Sequence, residues 1–81
     1  MLVQCTLMSP AESLAFEAAI RAVGRDPRTF RAQVFAARGG AGEFLRRVHV
    51  VTGSAAAQYE ASAGLAWTDN FSRHLARGFF G

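Results

Sequence analysis

Lysine is missing from this sequence: every one of its nine strong cations is an arginine. The phosphate-loop motif GxxxxGK is thereby excluded, and the dinucleotide pattern GxGxxG is absent as well. What remains is a set of planar guanidinium groups, which fork onto carboxylates and phosphates or stack on rings. An alanine-rich, lysine-free chain is also what a GC-rich genome tends to encode, so composition alone leaves both readings of the arginine set open. Cysteine is nearly absent too. Cys5 stands alone, which rules out an intramolecular disulfide, and its wide separation from His49 and His74 gives no metal-ligand spacing. No metal and no cofactor is expected. Long apolar runs are lacking, since none approaches the roughly 20 residues that a membrane span requires. The start, Met1-Leu2-Val3-Gln4-Cys5, has neither the positive flank nor the extended apolar core of a secretory leader. The expectation is a cytoplasmic protein without a membrane partner.

The chain that carries these absences has 81 residues, and residues 1–81 read as a single domain. Half of the residues are apolar and seven are Phe, too apolar for a disordered chain. Much of that apolar content is Ala, so the large core candidates are few: Phe, Leu, Val, Ile20, Tyr59 and Trp67. A chain this short buries only about 60% of its unfolded surface, and a homo-oligomer that covers a second apolar face is one remedy for a thin core. The formal charge of +3 gives a mild attraction to polyanions without specifying one.

Ser9-Pro10-Ala11-Glu12 is the clearest local signal. Ser9 serves as N-cap, Pro10 sits where a missing N–H costs nothing, and Glu12 reaches back to the cap. Phe16, Ala19, Ile20 and Val23 recur at helical spacing, and Gly24 suits the left-handed position that ends a helix. Before this helix, Val3, Cys5 and Leu7 alternate with Gln4 and Thr6, which reads as a strand over Met1–Met8 with a disordered start as the alternative. The alternation makes Cys5 a small buried apolar residue.

Arg25-Asp26-Pro27-Arg28 is a turn. From Thr29 to Arg38 the period becomes two: Phe30, Ala32, Val34 and Ala36 share one face, and Arg31, Gln33, Phe35 and Ala37 the other. Gly39-Gly40-Ala41-Gly42 breaks the run. Glu43–Thr52 resumes it, with Phe44, Val48 and Val50 opposite Leu45, Arg47, His49 and Val51, so that Arg46 faces away from Arg47. The pair reads as a hairpin. After the Gly53-Ser54 turn, Ala55–Trp67 alternates again and is read as a third strand, although Ala55–Ala61 also has helical propensity. Thr68 or Asp69 is expected to cap a last helix through Ala76 or Arg77, and Phe79-Phe80 to dock on the sheet, with an oligomer contact as the alternative.

The order (β)-α-β-β-β-α predicts an α+β two-layer sandwich, an antiparallel meander packed against two helices. Its α-β-β-β-α part resembles the double-stranded-RNA-binding domain in topology. That family opens its last helix with a lysine-rich motif where this chain has Trp67-Thr68-Asp69-Asn70-Phe71-Ser72-Arg73, and the chain is not assigned to it.

No spacing joins His49 or His74 to Cys5, Glu43, Glu60, Ser62 or Ser72 in a catalytic arrangement, and no enzyme activity is expected. The glycine loop with Arg38 reads as a hairpin turn. The remaining candidates are Arg31, Arg47 and His49 on the open sheet face, with Gln33 and Phe35 beside them, and Arg73 and Arg77 on the last helix. Basic and aromatic side chains on an open sheet are one way to hold single-stranded nucleic acid. The functional expectation is a small non-catalytic binding module, with a homo-oligomer and nucleic acid as candidate partners. The alternative is a small enzyme or ligand-binding domain with a pocket between sheet and helices, built from His49, Tyr59 or Trp67.

Overall fold

A computed structural model describes residues 2–42, 44–53 and 55–80, with the side chains of residues 2 and 3 excepted. Met1, Glu43, Ser54 and the side chain of Val3, all used in the sequence reading, lie outside the described residues, as does Gly81. The elements are β1 (Leu2–Thr6), α1 (Pro10–Ala22), β2 (Arg31–Arg38), β3 (Phe44–Thr52), β4 (Ala55–Glu60) and α2 (Trp67–Ala76). Short 3₁₀ turns occupy Pro27–Thr29 and Gly64–Ala66. The four strands form one antiparallel sheet in the order β1-β2-β3-β4. Both helices cover one face of it, so the α+β fold matches the expected order.

α1 begins as its sequence dictates. Ser9 Oγ accepts from the Glu12 N–H at 3.2 Å, while Glu12 Oε1 accepts from the Ser9 N–H at 2.9 Å. Pro10 takes the first helical position. At the other end Gly24 adopts φ +76°, and the N–H groups of Gly24 and Arg25 donate back to Arg21 and Ile20. That is the Schellman closure, which a side chain at Gly24 would strain.

The core lies between this helical layer and the inner faces of β2, β3 and β4. Six aromatic rings fill it: Phe16 from α1, Phe30 ahead of β2, Tyr59 from β4, Trp67 and Phe71 from α2, and Phe80 near the end. Val34, Val48 and Val50 supply the sheet floor, and Ile20 is fully buried against them. Phe71 sits at the centre, with ring centroids 4.9–6.1 Å from those of Phe16, Phe30, Tyr59, Trp67 and Phe80. Edge-on and offset contacts of this kind add to the burial of ring area. A few large rings thus compensate for the many alanines.

Three expectations are corrected. The third strand stops at Glu60 rather than running to Trp67. There the Arg46 N–H is taken by Ser62 Oγ at 3.2 Å, and Gly64 with φ +71° turns the chain under the sheet. Neither Thr68 nor Asp69 caps α2. The helix is entered directly from the 3₁₀ turn with Ala66 at the N-cap, and Thr68 Oγ1 donates to the Leu65 carbonyl at 2.7 Å. Cys5 is exposed rather than buried. The β1–β2 register places Thr6 beside the buried Val34 and Cys5 beside Phe35, which sends the cysteine to the uncovered face. The two terminal rings divide: Phe80 packs on Phe30 and Phe71, while Phe79 is half exposed and stacks on His74 with 5.0 Å between centroids.

Candidate functional site

Directly paired residues of an antiparallel sheet share a face, so the strand registers lay out the uncovered face row by row. Arg31 pairs with Val51, and Val51 with Ala56. The next row is Gln33, His49 and Gln58. The third is Cys5, Phe35, Arg47 and Glu60. Ala37 and Leu45 follow toward the hairpin tip. The face is therefore part basic and part apolar. Phe35 is half-buried between Cys5 and Arg47, and Leu45 is 45% exposed. Shallow depressions lie beside Phe35, Leu45 and Arg47, and beside Arg31, Gln33, His49 and Val51.

The five sequence-derived candidates fall into two groups. Arg31, Arg47 and His49 share this face. Arg73 and Arg77 do not join them. α2 turns Trp67, Phe71 and Leu75 toward the sheet, and Arg73 and Arg77 stand exposed on its outer side, in the opposite layer. Arg73 donates to Asn70 Oδ1 at 3.3 Å. His49 Nδ1 lies 3.3 Å from Gln58 Nε2 in the neighbouring strand. His49 is also on the opposite side of the sheet from Tyr59 and Trp67, so these three residues line no common pocket.

The other arginines divide according to what they hold. Arg21 bridges Glu17, Arg28 bridges Asp26, and Arg46 bridges Glu12. Arg25 donates to the Phe80 carbonyl at 3.0 Å and lies over the Phe30 ring. Arg21, Arg25 and Arg28 line a concavity of about 650 Å³, but Glu17 and Asp26 stand beside them there. Arg38 lies over the Phe44 ring at the hairpin tip. Among the described residues, Arg31, Arg47 and Arg77 enter no ion pair. Arg47 acts on Glu60 at longer range: the Glu60 carboxyl is lowered first by hydrogen bonds from Ser62 and further by the Arg47 charge.

One polar cluster escaped the sequence reading. Glu12 is only 3% exposed and accepts from four donors. Arg46 forks onto it, with Nη1–Oε2 at 2.6 Å and Nη2–Oε1 at 2.7 Å. Trp67 Nε1 donates to Oε2 at 2.8 Å, and the Ser9 N–H to Oε1. Arg46 Nη1 also reaches the Ala61 carbonyl at 3.2 Å. The bonds from Arg46 hold the Glu12 carboxyl down at about 2 against the upward push of burial. Every lone-pair direction of the carboxylate is used, so the cluster is a clamp joining α1, β3 and α2, with no acceptor left for chemistry.

A second polar contact sits where β4 meets α2. Tyr59 Oη and His74 Nδ1 are 2.7 Å apart, and burial pushes the Tyr59 hydroxyl up to about 12. A phenol so reluctant to ionise is a poor nucleophile or base. No group of three or more His, Cys, Asp or Glu side chains suited to a metal ion occurs among the described residues. Among the described residues no helix is long and apolar enough to cross a membrane. Comparison with protein-family models, with curated proteins and with solved structures returns no match for this chain.

Proposed function

We propose that the protein is a non-catalytic binding module that takes single-stranded nucleic acid on its uncovered sheet face. The observation that supports this reading most is the placement of Arg31, Gln33, Phe35, Arg47 and His49 on two adjacent strands of that face, with neither arginine committed to an ion pair among the described residues. Guanidinium groups supply phosphate contacts, and the Phe35 ring supplies a stacking surface that tolerates any base. The sheet is braced from behind by the aromatic core. Glu60 opposes Arg47 and limits the net charge, which favours a weak, salt-sensitive and sequence-tolerant contact.

Fluorescence anisotropy with a labelled mixed-sequence single strand, titrated across a series of salt concentrations, tests the reading. Each phosphate contact on a single strand contributes about −0.7 to the slope of log affinity against log salt. Arg31→Ala and Arg47→Ala should each flatten the slope by about that amount, whereas Arg77→Ala should leave it unchanged. Undetectable binding at the lowest salt, where the electrostatic contribution is largest, refutes the proposal.

A further inference from the structure

The outer edge of β4 is an open pairing surface. Ala61 donates its N–H to the Arg46 carbonyl at 2.8 Å, which fixes which residues of this strand turn inward. Antiparallel bonding alternates, so Tyr59, Ala57 and Ala55 direct their backbone groups at β3. The N–H and C=O groups of Ala56, Gln58 and Glu60 therefore point away from the sheet. Natural edges are guarded by Lys, Pro, bulges or a covering element. The strand Ala55-Ala56-Ala57-Gln58-Tyr59-Glu60 has no Lys and no Pro, and its only charge is at its end. Beside it runs a groove of about 460 Å³, lined by Tyr59, Ala63, Ala66, Trp67, Asn70 and His74.

We infer that β4 pairs antiparallel with β4 of a second copy, joining two sheets into one. A two-fold axis makes each residue meet its counterpart, and the sequence selects where the axis falls. Centred on Glu60, it would set two carboxylates directly opposite each other, which is destabilising. Centred on Gln58, it brings Gln58 against Gln58 of the partner subunit and Glu60 against Ala56 of the partner subunit. All three outward residues then exchange both of their bonds, and no like charges meet. On the inner face the same axis sets the bulky Tyr59 against the small Ala57 of the partner subunit, beside the groove. This self-complementarity argues for a second copy as the occupant rather than an unrelated peptide. The inference is independent of the nucleic-acid reading, and either one stands if the other fails.

Sedimentation equilibrium on the full chain over a wide concentration range, with three variants, tests it. Gln58→Pro removes an outward N–H and no inward one, a substitution that edges tolerate. It should raise the dimer dissociation constant about tenfold or more, since the N–H bonds of both copies are lost. Ala56→Glu places like charges opposite Glu60 of the partner subunit and should weaken the dimer, while Ala56→Lys should tighten it. The charge pair keeps the test decisive if the proline variant does not fold. Amide exchange in the dimer should slow at Ala56, Gln58 and Glu60. A monomer at every concentration, equal effects of Ala56→Glu and Ala56→Lys, or protection confined to β1 overturns the inference.

Discussion

Glu12→Gln is the substitution that most sharply probes how this small domain holds together. Glutamine preserves the shape of the side chain and remains compatible with the capping box, so the start of α1 keeps its local bonds. What changes is the charge and one acceptor. With Oε1 kept on the Ser9 N–H, the amide nitrogen takes the place of Oε2 and faces both Arg46 Nη1 and Trp67 Nε1, donor against donor. The Arg46 guanidinium, whose side chain is only 16% exposed, is left without its counter-ion. Removing one partner of a buried ion pair costs about 3–5 kcal/mol, against a total stability of roughly 4–12 kcal/mol for a chain of this length.

Proton linkage gives a matching figure. The Glu12 carboxyl lies near 2 in the folded protein against an ordinary value of 4.5, a difference that corresponds to about 3 kcal/mol. A lowered folded-state value means that this stability is fully present above about 4.5, and is lost as pH falls toward 2. Urea denaturation followed by far-ultraviolet circular dichroism measures both effects. The variant should lose about 3–5 kcal/mol at neutral pH, and its own stability should vary less between pH 4.5 and 2. The double variant Glu12→Leu with Arg46→Met should be more stable than either single change, because it leaves no buried charge alone. A Glu12→Gln protein within about 1 kcal/mol of wild type would refute the clamp, since that is the worth of an exposed pair.

Three further outcomes follow from the packing and the caps. Phe71→Ala, at the centre of the ring cluster, should cost about 3–5 kcal/mol by the same denaturation assay. Ser9→Ala removes the acceptor for the Glu12 N–H and should cost about 0.5–2 kcal/mol, with the m-value unchanged. Tyr59 should resist alkaline titration in ultraviolet absorbance until pH approaches 12. Its raised value means that the associated stability is present below pH 10 and is lost as pH rises toward 12, so the urea midpoint should fall across that interval.

The parts of the fold that the sequence made legible are those whose causes are local. Ser9, Pro10 and Glu12 lie within one turn, and Gly24 needs only its own φ, so both ends of α1 could be placed. The faces of β2 and β3 followed from alternation, because Val34, Val48 and Val50 are large enough to mark an inner side. Cys5 was misread because alternation within one strand does not say which face is the inner one; the register against β2 decides that. Ala55–Trp67 misled for a related reason. Alanine alternates without declaring a face, and the strand is stopped by the Ser62 side chain reaching back to Arg46, a contact that no periodicity encodes. The Glu12–Arg46–Trp67 clamp joins residues distant in the chain. Its one sequence trace was that Arg46 falls on the core side of β3, where a lone guanidinium requires a buried acid. Of the candidate site, the grouping of Arg31, Arg47 and His49 was readable from strand period, whereas the separation of Arg73 and Arg77 depends on which layer receives α2.

The uncovered sheet face is the centre of the functional account, and amide NMR shifts tested against it are its most direct measure. A mixed-sequence single strand is titrated into isotope-labelled protein at low salt. The account predicts perturbations concentrated at Arg31, Gln33, Phe35, Arg47 and His49, fading as salt is raised. Perturbations centred on Arg73 and Arg77, or on the concavity of Arg21, Arg25 and Arg28, or no perturbation at all, would contradict it.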